Sequence, residues 1–361
     1  MTSPEPESSA LRRGLLLLAV LLGAVAAACA QDRPTTLPPV TISAQANRDP
    51  VEKSYRRMVR GMDLFERRHM LAPQASLRFR LLPRHDDTDM RDVRVDVVGN
   101  SVETRLPVAP DKTFVLPRVQ QALDEDAMVV PNRRRQSMTW RTDIRTPGLP
   151  PQTRRLGDLR LECEVGMEAG LFSNHRSVFD RLLGALRDTP GYCHRNAPRY
   201  LFFSDEPLFG VTLVAGQRRE TLPVSQLYAG ASDDPAINED LPYCDCEVLL
   251  DRSYFLPLGD SSWPDDTLVE FDPMTGADAA APLQADVGGI VPGRSTRAEL
   301  SATFPAAMPI RFPTGYEVWV DRDKPDRRSS QNMAPAERIF LVDPAGVVGK
   351  ARSRPPSPPA R

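Results

Sequence analysis

Thirty-six of the 361 residues are proline, and this number limits the folds open to the chain. Proline has no amide hydrogen and its ring clashes with the preceding helical turn, so helix interiors and central strands exclude it. A chain interrupted this often is expected to use short strands, many turns and few long helices. Aromatic residues make up only 6%, so its cores should be mainly aliphatic. The net charge of −2 argues against general nucleic-acid binding, which needs a basic surface.

Residues 14–31 carry no charge, follow Arg12 and Arg13, and end in small residues around Cys29. A basic start, an apolar run and a small-residue exit read as a secretory signal. The run is short for a membrane span. Ala26-Ala27-Ala28-Cys29 resembles the lipobox of bacterial lipoproteins, with Ala26 where Leu is usual, and Ala28-Cys29-Ala30 resembles an ordinary signal-peptidase site. Lipidation of Cys29 is the preferred reading, with cleavage and free secretion as the alternative. The residues around Arg12-Arg13 fit twin-arginine export poorly. Of five cysteines, Cys163, Cys193, Cys244 and Cys246 remain. They suit an oxidising compartment, either with Cys163 bridged to Cys193 or with each bridged to one of the other two.

Residues 32–50 are polar and Pro-rich and read as a tether. Met58, Met62 and Phe65 recur near helical spacing, which predicts a short amphipathic helix over 51–68. From Ala75 the period changes to two. Leu77, Phe79 and Leu81 alternate with Arg78 and Arg80, and Val93, Val95 and Val97 with Arg94 and Asp96. That is the pattern of half-buried antiparallel strands. Gly99-Asn100 offers a turn, and Thr113–Leu116, Ala127–Val130 and Met138–Ile144 offer further strands. Pro147 to Pro151 reads as a linker. Beyond it, Leu159, Leu161, Cys163 and Val165 alternate with Arg160, Glu162 and Glu164, which predicts a strand. A helix is expected from Ser177 to Leu186, ended by Thr189-Pro190-Gly191.

Residues 95–108, VDVVGNSVETRLPV, align without gaps to residues 211–224, VTLVAGQRRETLPV. A second echo pairs Thr113-Phe114-Val115-Leu116-Pro117 with Ser253-Tyr254-Phe255-Leu256-Pro257. These read as two hairpins of similar build in two β-rich domains, with chance likeness among Pro-rich strands as the rival.

Near the end, Ile290, the run from Pro292 to Leu300, Phe304-Pro305, Glu317-Val318-Trp319 and the run from Val342 to Val348 follow one another in an order that resembles the SmpA/OmlA (BamE-like) domain of outer-membrane lipoproteins. Arg294-Ser295 stands where that family has Met, and Phe304-Pro305 replaces its Leu-Gly step. The resemblance implies one helix on a small antiparallel sheet, with envelope proteins as partners. The residues agree with that fold. Thr296 and Glu299 have capping-box spacing, Leu300 and Phe304 share a helix face, and Tyr316, Val318 and Val320 alternate on a strand. Leu300, Phe304, Trp319 and Leu341 are expected as its core or partner-binding residues.

No G-x-S-x-G, H-E-x-x-H or P-loop motif is present. His85-Asp86-Asp87-Thr88-Asp89 lacks the glycine and terminal Glu of a calcium loop, and Asp233-Asp234 and Asp265-Asp266 read as solvated turns. No catalytic residue, metal site or cofactor is expected. The fold class expected is mainly β: two β-sandwich-like modules followed by a small α+β domain. The division expected is 1–28 signal peptide, 29–71 anchor and tether, 72–150 β-rich, 151–275 β-rich with one helix, 285–350 BamE-like, and 351–361 disordered tail. The function expected is a noncatalytic envelope lipoprotein at the periplasmic face of the outer membrane, held by its lipid, with a structural or protein-interaction role in outer-membrane assembly or integrity. The alternative is a glycan-binding or carbohydrate-active periplasmic protein, which needs a cleft of converging carboxylates.

Overall fold

The computed structural model describes residues 52–134, 137–171, 189–195, 200–230, 247–275, 286–322 and 336–355. Residues 47–361 group into one compact unit, and the chain is mainly β.

A two-residue strand β1 (Lys53–Ser54) runs straight into helix α1 (Tyr55–Arg68). The Ser54 side chain accepts from the Arg57 amide at 3.3 Å, and Arg67 and Arg68 stand in the last turn, where the helix dipole favours cations. This is the helix predicted from Met58, Met62 and Phe65. Strands β2 (Ser76–Pro83), β3 (Val95–Val98), β4 (Glu103–Leu106) and β5 (Thr113–Phe114) follow. Then come a short helix α2 (Gln120–Asp124) and strands β6 (Met128–Pro131) and β7 (Met138–Arg145). They form two antiparallel sheets, ordered β1-β6-β3-β4 and β5-β2-β7. The period of two read from the sequence turns Phe79, Leu81, Val95 and Val97 into one core with Tyr55, Met58 and Trp140. The predicted turn at Gly99 joins β3 to β4, its amide donating to the Val102 carbonyl at 2.7 Å.

The same plan then recurs. Strand β8 (Thr153–Arg155) runs straight into helix α3 (Leu156–Glu168), followed by β9 (Phe202–Phe203), β10 (Leu208–Ala215), β11 (Arg218–Thr221), β12 (Ser253–Tyr254) and β13 (Leu268–Pro273). The order β8-β13-β10-β11 repeats β1-β6-β3-β4, and the β9–β12 pair repeats β2–β5. The registers match as well. The gap-free alignment places Val98 on Val214 and Glu103 on Arg219, and both pairs face each other across their hairpins. Aligning Thr113 with Ser253 carries Met128 onto Leu268, and these residues pair with Val98 and Val214. The first helical amide donates to the sixth-strand loop in both copies, Tyr55 to Ala127 at 3.0 Å and Leu156 to Thr267 at 2.9 Å. The two echoes in the sequence are therefore the visible parts of an internal structural repeat.

One element overturns its sequence reading. Residues predicted as the strand Leu159 to Val165 belong to α3. The polar partners in that alternation do not face water. Arg160 donates to Asp265 at 2.5 Å and to the carbonyls of Leu258, Asp260 and Trp263. Glu162 accepts from Arg154 and, at 2.7 Å, from the Ile144 amide. Glu164 accepts from Arg68 at 3.0 Å and lies 3.2 Å from His194. A helix buried on nearly every side loses its amphipathic period, and its paired charges imitate the polar face of a strand. The Pro147–Pro151 segment is the turn from β7 into β8, but α3 packs back on the first repeat. The Thr142 hydroxyl donates to the Glu162 carbonyl at 2.8 Å, and a Cβ added to Gly61 of α1 would lie 2.8 Å from the Ala169 methyl just after α3. The helix expected from Ser177 to Leu186 lies outside the described residues.

The last part holds α4 (Arg297–Thr303) and a meander of β14 (Met308–Arg311), β15 (Glu317–Arg322), β16 (Glu337–Val342) and β17 (Val348–Arg354). The predicted capping box is complete. Thr296 Oγ1 accepts from the Glu299 amide at 3.3 Å, and Glu299 accepts from the Thr296 amide at 2.7 Å. Strand alternation divides this sheet between two cores. Trp319, Phe340 and Val342 face α4 with Leu300, whereas Val318, Val320, Ile339 and Leu341 join the second repeat around Val224 and Leu227. Pro-rich flanks predict a module that moves by itself; instead one face of its sheet is sealed by the second repeat. The Val224 amide donates to Glu337 at 3.2 Å, and Lys350, Arg352 and Arg354 reach carbonyls of Pro273, Phe209 and Thr221.

Candidate functional site

The site grows from strand β2. Its inward residues Phe79 and Leu81 fill the first core, which leaves Arg78 and Arg80 on the opposite face. Arg78 Nε donates to the Thr113 hydroxyl of β5 at 2.7 Å. Arg80 donates to Asp205 at 2.5 Å and to Asp143 of β7 at 3.4 Å, and lies 4.0 Å from Asp111. Arg145, also on β7, holds the same two acids, Asp143 at 2.8 Å and Asp205 at 2.7 Å. Two arginines of the first repeat are thus locked to each other through Asp143 of their own repeat and Asp205 of the second.

Beside this network lies a cleft of about 600 Å³ at the seam between the repeats. Arg78, Arg80, Lys112 and Arg145 reach it from the first repeat, and Ser204, Asp205 and Arg252 from the second. Leu82, Pro83, Met90 and Leu249 supply an apolar wall. Arg252 Nη1 donates to the Asp205 carbonyl at 2.6 Å, so the loop after β9 is held from both sides.

The electrostatics follow from these contacts. Burial by itself would raise the Asp205 carboxyl, but its bonds to Arg145 and the charge of Arg80 outweigh that and hold it well below the usual carboxylate range. Burial likewise opposes the Arg145 charge, and Asp205 with Asp143 more than restores it. At Asp111 burial is again outweighed, here by bonds from Thr113 and by Arg80 and Arg78, and the group sits below its ordinary value. Deeper in the seam, burial works against the Arg154 charge and the Glu162 carboxylate overcomes it. The Tyr200 phenol is pushed up to about 12 by burial. The cleft thus offers fixed charge. Asp111 and Asp205, which line it, are both held ionised; deeper in the seam burial raises the Glu162 carboxyl, the displacement a general acid at neutral pH needs, but its Oε1 is taken by Arg154 and the Ile144 amide.

The residues expected to matter from sequence lie elsewhere. Cys163 and Cys193 form a disulfide; it closes the segment between α3 and the turn holding His194. Cys29, Cys244 and Cys246 lie outside the described residues, as do Asp233 and Asp234. Leu300, Trp319 and Leu341 are buried, Leu341 on the face opposite the other two, and Phe304 packs on Phe340 with ring centroids 5.0 Å apart. Trp319 Nε1 donates to Glu317 at 2.8 Å. Asp89 is tied to Arg91 at 2.8 Å, and Asp265 to Arg160. Sequence reasoning missed the cleft. The signal lay one step outside the second echo: Asp111-Lys112 precedes Thr113 as Asp251-Arg252 precedes Ser253, a matched charged pair in both copies.

No protein-family model, curated protein or solved structure matches the chain.

Proposed function

We propose that this chain is a noncatalytic binding protein of the bacterial cell envelope, anchored by a lipid on Cys29 at the periplasmic face of the outer membrane. It has a structural or protein-interaction role there, in outer-membrane assembly or integrity. One observation carries the noncatalytic part of this reading: Asp143 and Asp205, the paired acids of the seam cleft, are each gripped by both Arg80 and Arg145. Neither is left to give or take a proton as a glycosidase pair must. The Cys163–Cys193 disulfide supports an oxidising compartment. In the finer version of this reading, each repeat is a sandwich-like module and residues 285–350 are a BamE-like domain. The capping box and the helix-on-meander plan support the second point, and envelope proteins are the partners it implies.

The test is fractionation with copurification. Cys29→Ser should move the protein from the membrane to the soluble periplasmic fraction, and crosslinking in envelopes should recover membrane-assembly proteins with the wild type. Equal partitioning of wild type and mutant would exclude the anchor, and hydrolysis of a glycan by the purified protein would exclude the noncatalytic reading.

A further inference from the structure

The two repeats provide an internal control for what the fold requires. The β2–β5 ladder pairs Phe79 with Phe114, and the β9–β12 ladder pairs Phe202 with Tyr254. In that shared register Arg78 falls on Leu201 and Arg80 on Phe203. The second copy therefore closes the same ladder with apolar side chains, and those side chains pack together with Ala229. The ladder itself therefore does not call for arginine at either position; Arg80 is used to bridge to Asp143 and Asp205, which leaves Arg78 without such a role, and partly burying a guanidinium is costly without a compensating charge.

The charges of the cleft are also unbalanced. Arg78, Arg80, Lys112, Arg145 and Arg252 line it against Asp111, Asp143 and Asp205. Arg80 and Arg145 are matched by Asp143 and Asp205. Asp111 feels the charges of Arg80 and Arg78, but Arg78, Lys112 and Arg252 form no ion pair within 4.0 Å among the described residues. Two of these three occupy equivalent places in the repeat, Lys112 before β5 and Arg252 before β12, so each copy delivers one cation to the same space. Lys112 stands at φ 65°, in the left-handed region where glycine or asparagine is the usual choice.

We propose that the seam cleft binds an organic anion bearing a phosphate or carboxylate group, held by Arg78, Lys112 and Arg252. Guanidinium groups bind such groups through paired charge-assisted hydrogen bonds, and an ammonium adds a point charge. The cleft volume lies within the range of small-molecule sites, which run from about 300 to 1,000 Å³. Leu82, Met90 and Leu249 supply a surface for the carbon part of the ligand. The site does not depend on where the protein is anchored.

Calorimetric titration of the purified full chain at low salt tests this with three probes: glycerol 3-phosphate, citrate, and phosphatidylglycerol vesicles against phosphatidylcholine vesicles. Saturable binding of one equivalent of a soluble probe assigns a free organic anion. Binding only to phosphatidylglycerol assigns a lipid headgroup. In either case Lys112→Ala should bind about tenfold more weakly with an unchanged melting temperature. Arg78→Leu, which copies the second repeat, should do the same. Should Arg78→Leu fold poorly, Lys112→Ala decides alone, because its side chain makes no hydrogen bond among the described residues. No saturable binding to any probe, or equal binding by wild type and Lys112→Ala, overturns the proposal.

Discussion

Asp205 shows how single side chains join the two repeats. Its carboxylate bridges Arg80 and Arg145 of the first repeat, while its own carbonyl accepts from Arg252. Because the folded state holds this carboxyl below its ordinary value, its contribution to stability has a definite sign. It is complete above the unfolded value of about 3.9 and is lost as pH falls through the folded one. The denaturant midpoint of the wild type should therefore drop on acidification below about pH 4. Asp205→Asn should be less stable at neutral pH and show a shallower acid decline. Equal slopes in the two proteins would mean that the bridge does not couple to folding. Arg154 and Glu162 form a deeper ion pair, both under a tenth exposed, in which burial raises the Glu162 carboxyl instead of leaving it below its ordinary value. Their separation by eight residues, with β8 ending between them, gives no helical or strand spacing that would have flagged it.

At the scale of elements, α3 is the piece both repeats are built around. Its Leu161 and Val165 pack with Leu64 and Ile144 of the first repeat, and its Leu156, Leu159 and Met167 with the core of the second. Cys163 stands on the second set and ties the helix to Cys193, thirty residues on. Closing a loop of that length stabilises by about 2–4 kcal/mol through the unfolded chain. Cys163→Ala should lower unfolding free energy by that amount, measured in urea without reductant. A reductant should have little further effect on the variant if this bridge alone supplies the difference. The neighbouring close contact has a different cause. Gly61 lets α1 approach the end of α3 so nearly that any side chain there would meet Ala169, and helix axes this close need a residue without a Cβ.

For the whole molecule, the decisive fact is that, among the described residues, both faces of the terminal sheet are packed. Leu300 of α4 and Phe304 just after it cover one side, and the second repeat covers the other, where Val318, Val320, Ile339 and Leu341 point. Its edge strands are β14 and β17; β14 carries Met308, half exposed at 51%, and Pro309, which withholds one ladder amide and blunts that edge against pairing. Deleting residues 285–350 should therefore uncover Val224 and Leu227 and lower the melting temperature of what remains. A truncated protein that melted with the full chain would instead mark the terminal part as independent. Truncation phenotypes should accordingly be read beside a stability measurement.

Several features follow from the amino-acid sequence by itself: the short strands, the turn at Gly99, helix α1, the capping box at Thr296, and the hairpin echo between residues 95–108 and 211–224. Each is a local matter, decided by side-chain period, by glycine and proline, or by a cap within a few residues of its partner. Only the tertiary structure decided that residues 159–165 are helical, that the echoes belong to one repeated plan, that Leu341 faces away from Trp319, and that a cationic cleft lies at the seam. These depend on burial and on charge partners far apart in the chain, such as Arg68 with Glu164 or Arg80 with Asp205. A buried, paired charge looks in sequence like a solvated one, because its partner is set by the fold and not by spacing.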